Sequence, residues 1–105
     1  MRRVLVVMAL SWLVSGAAQA DGNVEAGRAF AMENCSRCHA VEATGESPRA
    51  DAPRFRNFQT MWPLESLEEA LGEGIVVGHP DMPQFELDGQ QINDLLAYLA
   101  SLPAD

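Results

Sequence analysis

No lysine occurs anywhere in the 105-residue chain, and its seven basic side chains, all arginine, face 15 carboxylates for a formal charge of −8. That balance argues against a nucleic-acid partner, whose phosphates call for a basic face. Cysteine is nearly absent: Cys35 and Cys38 share one local motif, so no disulfide can close a long loop. A membrane helix needs about 20 apolar residues, and Ser11 already interrupts the shorter apolar run from Val4 to Val14. Alternating apolar and polar residues of useful length are missing as well, which removes a β-rich fold, and no internal repeat is visible.

What is present begins with an export pattern. Arg2 and Arg3 form a charged start, an apolar stretch follows, and Ala18-Gln19-Ala20 supplies an A-x-A cleavage site. Residues 1–20 are therefore read as a signal cleaved after Ala20, with residues 21–105 as one mature domain in the periplasm and no membrane span. The paired arginines sit too close to the start, without the rest of the folded-export signal, so ordinary export is preferred. Loss of Arg2 and Arg3 takes the formal charge from −8 to −10. A carboxylate-rich surface can serve solubility or docking against a basic patch on a partner, and the sequence weighs these evenly.

The 85 residues left are few for a self-sufficient core, and with no long-range disulfide available, a cofactor is the expected staple. The pattern is all-α. Asn23 can cap a helix with Val24, Gly27, Phe30 and Ala31 on one face; Gly27 in its interior calls for a close helix crossing. Pro63 can open a short helix through Leu64, Leu67, Ala70 and Leu71, stopped by Gly72 and Gly74. Asp88 and Gln91 form a capping pair ahead of a stripe of Ile92, Leu95, Leu96, Leu99 and Leu102, with Pro103 as the stop. Residues 42–60 and 72–84, rich in Gly and Pro, read as long loops suited to wrapping a flat cofactor.

Cys35-Ser36-Arg37-Cys38-His39 is C-x-x-C-H, the attachment pattern for c-type haem. Thiols three residues apart on one turn can each add to a vinyl group of the porphyrin edge, and the adjacent imidazole can reach the iron. A zinc site would want four ligands, and the chain offers these cysteines with His39 and His79. A redox dithiol would follow a strand, and here the motif follows a helix. For the second axial position a thioether sulfur favours ferrous iron, and Met82, in the Gly78-His79-Pro80-Asp81-Met82-Pro83 loop, is preferred. His79 ranks next and Met61 below it. Met32, one turn before Cys35, reads as core filler.

Taken together these residues resemble a small class I cytochrome c over nearly the whole mature chain. The resemblance rests on Gly27 and Phe30 ahead of Cys35-Cys38-His39, on Ala52-Pro53-Arg54-Phe55, on Met82-Pro83, and on Leu96-Ala97-Tyr98-Leu99. It implies a cytochrome c fold whose N- and C-terminal helices cross beside one covalent haem c, ligated by His39 and Met82. It also implies that Pro53, with Pro48 as a rival, offers its carbonyl to the free nitrogen of His39. Arg54, Arg56 and Trp62 become candidate donors to the haem propionates. The implied function is one-electron transfer to a redox partner, not enzymatic catalysis. A haem subunit of a periplasmic dehydrogenase, and an enzyme or gas sensor with a displaceable sixth ligand, are the alternatives. The absence of lysine departs from family members whose haem edge is ringed by lysines, so a partner built for such a ring is not expected.

Overall fold

The computed structural model describes residues 22–74 and 81–105. Residues 1–20, read above as an export signal, and His79 lie outside the described residues. Among the described residues four α-helices carry the fold: α1 (Val24–Asn34), α2 (Phe58–Met61), α3 (Leu64–Glu73) and α4 (Gly89–Ser101), with a 3₁₀ turn at Phe55–Asn57 leading into α2. Among the described residues there is no strand, and no helix is long and apolar enough to cross a membrane.

α1 begins where Asn23 accepts the Ala26 N–H at 2.9 Å, and α4 begins at a complete capping box between Asp88 and Gln91. Each device satisfies backbone donors that a helix start leaves unpaired. The two helices cross at Gly27. A Cβ built there would fall inside the Asp94 carbonyl group and 2.8 Å from Tyr98 Cβ, so the backbones meet where a side chain would stand. Asn23 N–H also donates to Asp94 Oδ1 at 2.7 Å, which fixes the register of the crossing.

Behind the crossing, α4 buries Ile92, Leu95, Tyr98 and Leu99, and Leu102 follows just past its end. They join Ala31, Val41, Phe55, Leu71 and Leu87 in one core. The buried Tyr98 hydroxyl donates to the Val41 carbonyl at 2.5 Å, tying α4 to the chain after the cysteine motif. Arg56, 5 % exposed, is held by Asp105 at 2.6 Å and by the Gly45 carbonyl at 2.8 Å. The same contact with Arg56, joined by Asn57, holds the Asp105 carboxyl below its ordinary range.

Several local expectations need correction. Gly72 does not stop α3: the helix runs on to Glu73, and Gly74, at φ +86°, makes the turn that an L side chain rarely adopts. The 3₁₀ turn and α2 occupy part of the expected 42–60 loop, held from outside by the Gln59 side chain donating to the Leu99 carbonyl at 2.8 Å. Val24 and Met32 are each 40 % exposed, so Met32 is no core filler. The face of α1 turned inward carries Gly27 and Ala31, and Met32 is rotated away from it by about 100°.

Gly27→Ala is expected to cost about 1–3 kcal/mol in denaturant unfolding of the haem-bearing protein, because backbone must move to admit the methyl group. Gly89→Ala, whose Cβ meets nothing within 4 Å, is expected to cost nothing; equal losses at both positions would contradict a backbone crossing at Gly27.

Candidate haem site

α1 ends at Asn34 and hands the chain to a series of tight turns. Cys35 N–H and Ser36 N–H both reach the Ala31 carbonyl, at 2.9 and 3.1 Å, and His39 N–H returns to the Cys35 carbonyl at 3.0 Å. This winding brings Cys35, Cys38 and His39 to one wall of a cavity of about 1110 Å³. That is slightly above the usual size range for small-molecule sites, about 300–1,000 Å³. Both thiols are free, and burial pushes Cys35 up to about 11, so it stays protonated near neutral pH.

The chain after His39 folds back on the motif through four bonds. Ala40 N–H donates to Ser47 Oγ at 3.0 Å, Arg49 N–H to the Cys38 carbonyl at 3.1 Å, and Phe55 N–H to the Ala40 carbonyl at 2.9 Å. The fourth joins His39 Nδ1 to the Pro53 carbonyl oxygen at 2.6 Å. A carbonyl only accepts, so Nδ1 carries a proton, and in the neutral ring that leaves the lone pair on Nε2. Phe55 and Phe58 hold the ring from the sides, with centroids 5.2 and 6.0 Å from the imidazole, and Trp62 meets Phe58 edge-on at 5.7 Å.

The remaining walls are mainly apolar, with Leu67 and Leu71 from α3, Leu95 and Leu99 from α4, and Met82 with Pro83 from the segment beyond residue 80. Trp62 also lines the cavity. Arg54 and Arg56 do not: Arg54 pairs with Glu46 and with Asp105, and Arg56 is committed as described above. Phe55 takes the inward direction at this turn, which sends Arg54 outward. Arg37 and Arg49 are the arginines that line the cavity among the described residues, and no local pattern points to Arg49, which is placed by carboxylates of which one lies 32 residues away. Pro48 is exposed and does not line the cavity; Met61, 50 % exposed, does not line it either.

The residues present suit a haem. A large, mainly apolar cavity is lined by two free thiols, an imidazole whose Nδ1 is bonded to the Pro53 carbonyl, and a thioether. Among the described residues no three His, Cys, Asp or Glu side chains gather as a metal-holding group. A helical fold wrapped round a C-x-x-C-H cavity defines a haem-binding electron carrier. The chain belongs to the cytochrome c family: the family model described as Cytochrome c matches residues 24–103. It is an electron-transfer protein of that family, not an enzyme. Similar curated proteins include cytochrome c-552 of Bradyrhizobium diazoefficiens, 30 % identical over 102 residues, 97 % of this chain and 94 % of that protein. A cytochrome c-553-like protein of Synechocystis sp. is 34 % identical over 83 residues, 77 % of this chain and 70 % of its own. No solved structure matches.

Phe55→Ala is expected to cost about 3–5 kcal/mol, because a side chain only 4 % exposed is removed from beside the His39 ring. Thermal unfolding of the haem-bearing protein reads the loss; a change within 1 kcal/mol would contradict the packing role.

Proposed function

We propose that this chain is an exported one-electron carrier of the periplasm, in which residues 1–20 are a signal removed after Ala20. One haem c is held through thioethers to Cys35 and Cys38, with His39 and Met82 as the axial ligands of its iron. The observation that carries the reading is the 2.6 Å bond from His39 Nδ1 to the Pro53 carbonyl. It fixes the tautomer, orients the ring and raises the basicity of Nε2, as outer-shell partners of metal-bound histidines do.

Met82 is the thioether supported as the second ligand, because it lines the cavity whereas Met61 does not. Bound in this cavity, haem iron would alternate between ferric and ferrous states and supply the one-electron chemistry. The chain's own residues do the rest. His39 and Met82 would hold the iron, the Met82 thioether would favour its ferrous state, and the mainly apolar walls would lower the polarity around it.

The partner is read from charge. Every arginine lies at or before residue 56, while residues 57–105 carry nine carboxylates and no basic side chain other than His79. Glu65, Glu68 and Glu69 on α3 are exposed and enter no ion pair among the described residues. Such a surface suits a redox partner with a basic docking patch. Among the described residues the exposed large apolar side chains are Val24 and Met32 on α1 and Met61 and Trp62 at the α2–α3 junction, and an apolar face that closes on a dehydrogenase subunit would have to be built from these.

In the haem-bearing protein, Met82→Ala is expected to leave the haem attached, abolish the weak ferric sulfur-to-iron charge-transfer band and let carbon monoxide bind the ferrous form. An unchanged spectrum would contradict Met82 ligation.

A further inference from the structure

Arg49 joins three pieces of chain at the lip of the cavity. Its backbone N–H donates to the Cys38 carbonyl at 3.1 Å, which anchors the residue beside His39. Its guanidinium donates through Nε to Asp51 at 2.8 Å and through Nη1 to Asp81 at 2.9 Å. Asp81 immediately precedes Met82, and Arg49, Asp51, Asp81 and Met82 all line the cavity. The guanidinium thus bridges from the side of the cavity that carries His39 to the segment that carries Met82.

We infer that Arg49 is a positioning residue that clasps the Asp81–Met82 segment in place and so sets how readily an external ligand displaces Met82 from iron. This rests on the reading of Met82 as an axial ligand. Arginine suits the task because its planar fork can serve two carboxylates in different directions, whereas an ammonium presents one compact charge.

The ion pairs themselves are exposed, with side-chain exposures of 37 % for Arg49 and 68 % for Asp81, so their contribution to global stability is small. Their leverage is local. Residues 81–87 form no helix, so Met82 has no i to i+4 ladder to hold it and depends on contacts from elsewhere. A ligand that competes with Met82 binds in proportion to the population in which Met82 is off the iron. A modest loss of clasping therefore appears directly as higher apparent affinity.

The test is titration of the ferric, haem-bearing protein with imidazole, followed by its absorption spectrum. Arg49→Gln and Asp81→Asn are each expected to raise the apparent imidazole affinity roughly two- to fivefold. The double variant should gain no more than either single one, and Arg49→Lys should fall between Arg49→Gln and the parent. Met82→Ala separates the two readings. It should raise the affinity further and make Arg49→Gln silent in its background. If Met82→Ala alone leaves imidazole binding unchanged, Met82 ligation fails. If Met82→Ala raises the affinity but Arg49→Gln and Asp81→Asn do not, or if Arg49→Gln acts equally without Met82, the clasp is overturned.

Discussion

The backbone contact between α1 and α4 at Gly27 is the constraint on which the other features depend. With the Asp94 carbonyl occupying the space where a side chain would stand, the helices are locked in one register, and the Asn23–Asp94 bond keeps them there. α1 can then end in only one place relative to the core. Its last turn delivers Cys35 beside the cavity while α4 supplies Leu95 and Leu99 to the wall. Moving the crossing by one turn would shift the cysteines by about 5.4 Å and separate them from that wall.

The cavity explains how so short a chain manages with a modest core. Its buried side chains surround a space lined by both thiols and by apolar groups from α3 and α4, so a flat apolar cofactor would complete the interior. The polar bonds near the site are arranged to support this. Ser47, Arg49, Pro53 and Phe55 all bond back to residues 38–40, and these connections set the His39 imidazole before any ligand is considered. Asp105 plays a similar part at the far side, where it satisfies the buried Arg56 guanidinium.

What could be read in the sequence was what local rules decide. The capping box and apolar stripe made α4 legible, and C-x-x-C-H together with Gly27 placed both the haem motif and the crossing. The start of α3 followed from Pro63, but its end did not, because Gly72 is tolerated within the helix and the positive φ belongs to Gly74. The turn and short helix at residues 55–61 escaped notice since their support comes from Leu99 and Asp105, some 40 or more residues away. Arg49 was missed for the same reason, whereas Arg54, singled out beside Pro53, faces Glu46 and Asp105. Spacing alone does not say on which side of an irregular loop an arginine will fall.

One haem, bound covalently through Cys35 and Cys38, is the group we propose completes this fold. Intact-mass measurement after acid-solvent extraction tests it most directly. The expected result is a single species with the mass of residues 21–105 plus one haem, and no added mass when both cysteines are replaced by alanine. A polypeptide that loses its haem to the solvent, or that never carried one, would contradict it.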